Sequence, residues 1–336
     1  MLKKLILAVA TVSAFSATAV HAEEKTILNA SYDVARELFG AINPKFVEYW
    51  KAKTGEDVKI DQSFAGTSRQ AQDIVQGKKA DVVTFNQVTD INFLEKNGLG
   101  KEDWQKSFDN NSSPYYSTTA FLVRKGNPKN IKNWDDLVRE DVKVVFPNPK
   151  TSGNARYSYL GAWLYANEKF NGDEEKIKEF VGKLLGNVVN FPTGGRAATV
   201  AFAQNEQGDA LLSFESEVIN IANDKEYKDK GFEVVVPPVS VLAEFPVAVV
   251  DKVADSRGTR ELAEEYLKFQ YSKDIQALLT TFNLRVNDPE VVKATEGQYA
   301  PVRTINPTEV LGSWNEIQQN HFASGGILDG LLSKRR

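Results

Sequence analysis

Short apolar runs alternate along this chain with longer stretches in which apolar residues recur every three or four positions. A short apolar run is typical of a buried strand, and the longer period is typical of an amphipathic helix. The first series comprises strands at 26–32, 57–64 and 80–85, separated by helices at 35–55, with a break near Pro44, and at 67–77. This order of strands and helices predicts a parallel sheet that is covered by helices on both faces.

A strand is predicted at 118–126, followed by a turn and a short helix, and a second series of the same kind begins at residue 142. It comprises strands at 142–149, 187–191 and 210–214 and helices at 155–168, 173–186 and 196–205. The apolar stretch 242–250 is interpreted as a strand that returns to the first series, and helices are predicted at 259–272 and 313–322. We therefore predict an α/β fold with two lobes joined by two crossing segments. Lobe 1 is formed by 23–115 plus 250–336, and lobe 2 by 116–249, crossing segments included.

The first 22 residues have the pattern of a secretory signal peptide. Lys3 and Lys4 form a charged start, residues 5–12 are apolar, and Val20 and Ala22 are small residues before the predicted cleavage point. The apolar part is too short to span a bilayer, which argues against a retained anchor. We expect an exported protein in the periplasm.

Length and charge restrict the class of protein further. At 336 residues the chain exceeds what one hydrophobic core usually organises, which agrees with two lobes. The formal net charge is −4 without a basic block, so the sequence predicts no nucleic-acid partner. There is no cysteine, which excludes disulfides and thiolate chemistry. An anion site remains compatible with the negative charge, because local N–H dipoles outweigh a distant, screened net charge.

One local sequence pattern recurs along the chain: the end of a strand is followed by small residues and then by the start of a helix. It occurs at 62–70 (QSFAGTSRQ), 148–156 (NPKTSGNAR) and 191–199 (FPTGGRAAT), and 31–37 (SYDVARE) is a fourth case with Asp33 as the interpreted cap. A helix start offers unpaired N–H groups and the positive end of a helix dipole. One such junction is usually an ordinary capped helix. Four such junctions, all at the carboxyl ends of strands, predict that their N–H groups converge on one anion.

Motifs for catalysis are missing. The sequence has no nucleophile elbow, no P-loop and no His or Cys cluster with metal-ligand spacing. His321 is predicted to lie on the surface of a C-terminal helix, without a catalytic partner. Glu215 and Glu217 follow a strand and are better explained as a hydrogen-bonded or solvated strand end than as an acid–base pair. We predict a binding protein that is not an enzyme and uses no metal or cofactor.

Two longer motifs, at 148–156 and 51–63, indicate a family. Over essentially the whole mature length, the chain resembles the periplasmic sulfate-binding proteins that feed ABC importers. NPKTSGNAR (148–156) matches one family signature in full, and KAKTGEDVKIDQS (51–63) matches the other except at Glu56. The resemblance implies a two-lobed periplasmic binding protein of type II, with a hinge between the lobes. It also implies a monomer that captures sulfate for sulfur assimilation and passes it to the membrane permease of an ABC importer.

The resemblance also implies a set of ligand contacts in which hydrogen-bond donors hold the anion without a direct cationic side chain. The implied donors are the backbone N–H groups of Asp33 and Thr67 from one lobe, and the Ser152 hydroxyl and the N–H groups of Gly153, Asn154 and Gly195 from the other. The resemblance also implies a second group of residues that contact these donors rather than the anion itself: Ser68, Arg69, Arg156 and Arg196. The Asp33 carboxylate is expected to point away from the ligand as a helix cap.

Phe214 departs from the family pattern, because it stands where the family commonly has a tryptophan whose indole N–H contacts the anion. A phenyl ring has no donor, so the pocket wall formed by Phe214 leaves the identity of the anion open. Close relatives that bind thiosulfate share most of the motifs. The alternatives are thiosulfate or a molybdate-type oxyanion and, from another class, an exported ester hydrolase.

Overall fold

The structure is a computed structural model that describes residues 24–335, so the predicted signal peptide lies outside the described residues. Between residues 24 and 335, no helix has both the length and the apolar character needed to cross a membrane. The strands are β1 (Lys25–Ser31), β2 (Val58–Phe64), β3 (Val82–Thr84), β4 (Tyr115–Ser117), β5 (Thr119–Val123), β6 (Val144–Val145), β7 (Val188–Asn190), β8 (Ala210–Phe214), β9 (Glu233–Val235), β10 (Val239–Val241), β11 (Ala243–Phe245), β12 (Val247–Val249) and β13 (Arg303–Ile305).

Most of the remaining ordered backbone is helical. The helices are α1 (Arg36–Thr54), α2 (Thr67–Val75), α3 (Val88–Lys96), α4 (Asp109–Ser112), α5 (Gly153–Lys169), α6 (Glu174–Gly186), α7 (Gly195–Thr199), α8 (Glu215–Asn223), α9 (Asp251–Arg257), α10 (Arg260–Phe269), α11 (Lys273–Thr281), α12 (Pro289–Ala294), α13 (Pro307–Leu311), α14 (Trp314–Ile317) and α15 (Ile327–Ser333). Two π-helical turns, Val200–Gln204 and Gln318–Phe322, continue α7 and α14.

The two predicted α/β lobes are confirmed, each built around its own sheet. The sheet of lobe 1 has the order β12-β3-β1-β2, and that of lobe 2 has the order β7-β6-β8-β5-β9. In lobe 1, β1 pairs in parallel with β2 and β3, whereas β12 is antiparallel to β3. In lobe 2, β6 is parallel to β7 and β8, and β5 is antiparallel to β8 and β9. Both sheets are therefore mixed rather than wholly parallel.

The two crossing segments pair with each other between the sheets. Strand β4 is antiparallel to β11, and each leads directly into a strand of a main sheet. The predicted strand 242–250 is divided at Pro246 into β11 and β12, because proline has no N–H to donate to a ladder. The Pro246 carbonyl instead accepts the N–H of Phe85 at 2.9 Å. This two-stranded ribbon is the place about which the lobes would hinge.

Helix α1 differs from the prediction because it passes through Pro44 without a break. A proline inside a helix costs about 3 kcal/mol. The opposing contribution is the face formed by Phe39, Ile42, Phe46 and Trp50, all of which are buried. Burial of four large apolar side chains stabilises the helix by more than one missing hydrogen bond destabilises it.

The C-terminal segment, residues 303–335, packs on elements of lobe 2. The sequence analysis grouped 250–336 with lobe 1. Strand β13 pairs in parallel with β10, and α15 packs on α6. The Trp314 ring meets Tyr157 of α5 edge to face at 6.0 Å. These contacts join positions that are far apart in sequence, so local periodicity does not predict them. The residue-level boundaries of the lobes stay a prediction.

His321 lies in this segment, and its predicted surface position is wrong. The side chain is buried, its Nδ1 lies 2.9 Å from the Tyr159 hydroxyl, and its ring packs on Trp163. Burial lowers the pKa of His321 to about 4, so the imidazole stays neutral near pH 7. Its role is to fix the C-terminal segment on α5.

Candidate functional site: four helix starts at the cleft

The four predicted junctions meet where the lobes face each other. In lobe 1, a short 3₁₀ turn starts at Asp33 and α2 starts at Thr67; in lobe 2, α5 starts at Gly153 and α7 at Gly195. Two close approaches across the cleft show how tightly they converge. A methyl group added at Gly66 would lie 2.3 Å from the Thr151 carbonyl oxygen, and one at Gly194 would lie 2.3 Å from Asp33 Oδ2.

The start of α2 is held in place from α3. Thr67 is fully buried, and its hydroxyl lies 2.6 Å from Asp90 Oδ2 and 3.0 Å from Asn86 Oδ1. The Ser68 hydroxyl donates to Asp90 Oδ1 at 2.9 Å. Both hydroxyls are therefore committed within lobe 1. This arrangement suits a helix start that presents its backbone N–H to a ligand, as predicted for Thr67.

The start of α5 lies in close contact with lobe 1. Ser152 is the N-cap residue, but its side chain makes no capping hydrogen bond. A methyl group at Gly153 would lie 2.2 Å from Asn86 Oδ1 and 2.8 Å from Gln87 Cβ, so only glycine allows the lobes to approach this closely. The Asn154 side chain turns into lobe 2, where its Nδ2 donates to Ser213 Oγ at 2.8 Å.

Asp33 is oriented differently from the expectation. Its carboxylate reaches across the cleft, where Oδ2 accepts the backbone N–H of Arg196 at 3.0 Å. The expected helix-cap position pointing away from the ligand is wrong, because the start of α7 offers an unpaired N–H only a short distance away. Burial raises the pKa of Asp33, and the hydrogen bond from Arg196 opposes that effect.

The three arginines near the site behave differently. Arg156 is buried and crosses to lobe 1, where Nη1 donates to Thr89 Oγ1 at 2.7 Å and to Asp90 Oδ1 at 3.3 Å. Arg196 crosses to Glu37 at 2.8 Å with its side chain half exposed. Arg69 is exposed and pairs with Asp73 on its own helix, so the structure does not bring its side chain to the cleft.

Phe214 forms part of an aromatic wall at the end of β8. Its buried ring lies 4.8 Å from Phe245 and 6.1 Å from Tyr157 between centroids. Tyr32 and Tyr115 also pack on Phe245, with ring centroids at 5.2 and 5.1 Å. The wall joins both lobes to the crossing strand β11 and presents carbon rather than a donor at the position of Phe214.

The two glutamates that follow this wall have different surroundings. Glu215 is fully buried and forms two hydrogen bonds with Arg285, at 2.7 and 2.9 Å, which confirms the prediction of a hydrogen-bonded strand end for this residue. Burial and, next, the nearby Asp33 carboxylate raise the pKa of Glu217 to about 8. Glu215 is therefore committed to Arg285, whereas Glu217 faces Asp33.

The sequence reasoning missed three polar residues that follow β3. Asn86, Gln87 and Asp90 are buried where α3 begins, next to Thr67 and Gly153. The signal was available, because NQVTD (86–90), which is polar except for Val88, directly follows the apolar strand of ADVVTF (80–85). Strand ends of this kind lie at the ligand-binding edge of an α/β sheet.

Comparisons with known proteins agree with this geometry. The sequence profile of the family described as bacterial extracellular solute-binding protein matches residues 32–282. A thiosulfate-binding protein of Escherichia coli (strain K12) is 52% identical over 318 residues, which cover 94% of each chain. A sulfate-binding protein of the same organism is 42% identical over 320 residues, covering 95% of this chain and 96% of that protein. The structure of the sulfate-binding protein SubI from Mycobacterium tuberculosis H37Rv superposes with a TM-score of 0.78 at 29% identity, covering 89% of this chain and all of that one.

Proposed function

We propose that this protein captures a sulfur oxyanion in the cleft. The premise is its family: the chain belongs to the bacterial extracellular solute-binding proteins and, among them, to the group of sulfate- and thiosulfate-binding members. It would work in the periplasm after removal of its signal peptide, as a monomer, and pass the anion to the membrane permease of an ABC importer. The observation that carries the proposal is the convergence of four helix starts, two from each lobe.

Capture follows from the division of donors between the lobes. An anion bound to the N–H groups of both Thr67 and Gly153 is fully satisfied only when the lobes are closed. The ligand therefore shifts the hinge equilibrium toward the closed form by its differential affinity for that form. The closed protein is the form that the permease would recognise.

Selectivity against hydrogen phosphate depends on the state of Asp33. Sulfate and thiosulfate carry no proton near neutral pH, so N–H donors alone can satisfy them. Hydrogen phosphate brings an O–H that requires an acceptor, and the charged acceptor at the cleft is the Asp33 carboxylate. Its Oδ2 is already occupied by the N–H of Arg196, so we expect weak phosphate binding.

Thiosulfate is the second candidate ligand, and Phe214 favours it. One terminal atom of thiosulfate is a sulfur, which is larger than oxygen and a weak hydrogen-bond acceptor. The carbon wall at Phe214 suits such an atom, whereas a sulfate oxygen there would lack a donor. The higher identity to the thiosulfate-binding relative than to the sulfate-binding one points the same way.

Titration calorimetry of the mature protein, freed of ligand by unfolding and refolding, tests the function. We expect tight binding of sulfate or thiosulfate and weak binding of phosphate and molybdate. A clear preference for thiosulfate would assign Phe214 the selective role. Heat with none of the four anions would overturn the proposal, and phosphate binding as tight as sulfate would contradict the role given to Asp33.

We further propose that no chemistry is performed on the ligand. Hydrolysis of an ester by the Ser152 hydroxyl would need an adjacent base, and the buried His321 is engaged with Tyr159 instead. Incubation with chromogenic phosphate and sulfate esters tests this point. Turnover that is abolished in a Ser152→Ala variant would contradict it.

A further inference from the structure

Gln87 is a buried polar residue whose side chain is not used by the fold. It is fully buried, and within residues 24–335 neither its Nε2 nor its Oε1 has a hydrogen-bond partner. Most buried polar side chains in proteins are paired, so an unpaired amide calls for an explanation. Gln87 occupies the N-cap position of α3, yet its side chain does not cap that helix.

The position of Gln87 places it at the start of α5. Its Cβ lies 2.8 Å from the point that a Gly153 Cβ would occupy, and the Thr67 hydroxyl lies 3.1 Å from the same point. Gly153 and Thr67 are the backbone donors expected from opposite lobes. A glutamine side chain is long enough to reach from this Cβ to an anion that both N–H groups share.

The neighbouring amide groups are less suited to this role. Asn86 is less deeply buried than Gln87 and turns its Oδ1 toward the Thr67 hydroxyl, at 3.0 Å, and Asn154 Nδ2 already donates to Ser213. The unpaired Asn154 Oδ1 is an acceptor and would repel an anion. Of the amide groups that surround Gly153, only Gln87 therefore combines complete burial with uncommitted donors.

We propose that the Gln87 side-chain amide is a further ligand contact, which donates a hydrogen bond from Nε2 to an oxygen of the bound oxyanion. The inference rests on the proposed function and deepens it, because lobe 1 then contributes a side-chain donor in addition to backbone N–H groups. Closure on the anion pairs an amide that is otherwise buried without a partner. The contact requires an oxygen acceptor, so it applies to sulfate and to the sulfonate end of thiosulfate.

The test compares Gln87→Leu with a matched control in the same lobe. Gln270, at the end of α10, is also fully buried with both amide atoms unpaired within residues 24–335, but it belongs to none of the four helix starts. Calorimetry with sulfate and thiosulfate should show a loss of about 10- to 100-fold in affinity for Gln87→Leu. Gln270→Leu should bind as the wild-type protein does.

Two further variants and one measurement separate a ligand contact from a packing role. Gln87→Glu keeps the shape but removes the donor and adds an acceptor, so it should weaken binding more than Gln87→Leu does. Gln87→Met serves if the leucine variant does not fold. The melting temperature of the ligand-free Gln87→Leu protein should be unchanged or higher, while its rise on adding ligand should shrink.

Affinity of Gln87→Leu or Gln87→Met within twofold of wild type would overturn the inference. Equal losses in Gln87→Leu and Gln270→Leu would also overturn it, since both would then report packing. A wild-type protein that binds neither anion is a distinct result, which refutes the proposed function itself.

Discussion

The start of α5 and the start of α7 use one device in two environments. At each, a glycine of lobe 2 touches lobe 1: Gly153 approaches Asn86 and Gln87, and Gly194 approaches Asp33. Each helix also carries an arginine that crosses the cleft to an acidic residue of lobe 1. The Arg156 and Asp90 side chains are 9% and 5% exposed, whereas those of Arg196 and Glu37 are 51% and 59% exposed.

This difference in exposure decides which contact controls closure. An exposed ion pair contributes about 0–1 kcal/mol, because water and salt screen it. Removal of one partner from a buried pair leaves the other charge uncompensated, which costs about 3–5 kcal/mol. The α5 side should therefore determine whether the lobes close, and the α7 side should only adjust the affinity.

The largest expected effect follows from Arg156→Met. In the closed form this change leaves the Asp90 carboxylate buried with only the Thr67 and Ser68 hydroxyls as partners, whereas in an open form water can reach it. We expect the affinity for the preferred anion to fall by at least about 100-fold, measured by calorimetry. The matched variant is Arg196→Met, which should lose less than about threefold. Similar losses in both variants would contradict the comparison.

Gly153→Ala should have the next largest effect. The added methyl group would lie 2.8 Å from Gln87 Cβ, an atom that cannot move without its backbone. Overpacking of this kind costs about 1–3 kcal/mol, so we expect a loss of about 10- to 100-fold in affinity.

The control for Gly153→Ala is Gly40→Ala, inside α1, where nothing lies within 4 Å of the added methyl group. Gly40→Ala should leave the affinity unchanged and stabilise the ligand-free protein by about 0.5–1 kcal/mol. Unchanged affinity in Gly153→Ala would show that the lobes do not need the close approach at this helix start.

The helix starts that line the cleft could be predicted from the sequence, but their partners in the opposite lobe could not. Small residues between a strand end and a helix start are a short-range signal, which is why the positions of Thr67, Ser152, Gly153 and Gly195 at helix starts could be predicted. Partners across the cleft could not be predicted, because Asp33 finds the Arg196 N–H only when two distant segments fold together.

The same limit explains the other differences. The break expected at Pro44 follows from local chemistry alone, and the packing of α1 overrides it. The position of the C-terminal segment depends on aromatic contacts with α5, which involve residues more than a hundred positions apart. A single sequence gives the period of each element, but not which faces meet.

A smaller effect is expected from the carboxyl groups near α7. The raised pKa of Glu217, about 8, means that the folded protein keeps a proton that the unfolded chain releases above the ordinary glutamate range. The free energy of unfolding should therefore fall as the pH rises toward 8, and by the same linkage anion affinity should fall as Glu217 becomes charged. The groups that face Glu217 are Tyr32, Asp33, Glu37 and Arg196.

Glu217→Gln removes this titration. Urea unfolding at pH 6 and pH 9 should show a smaller loss of stability in the variant than in the wild type, and the anion affinity of the variant should change less between these pH values. The same pH dependence in both proteins would show that Glu217 titrates in its ordinary range.

The smallest effect is expected from Glu37→Gln, which removes the exposed partner of Arg196. We expect at most about a threefold loss of affinity at low salt, because the pair is half exposed. The loss should disappear at high salt, where screening acts over a few ångströms. Asp73→Asn is the matched control, since its pair with Arg69 is also exposed but lies within α2 and does not cross the cleft. A salt-independent loss in Glu37→Gln, or an equal loss in Asp73→Asn, would show that exposure is not what distinguishes the two helix starts.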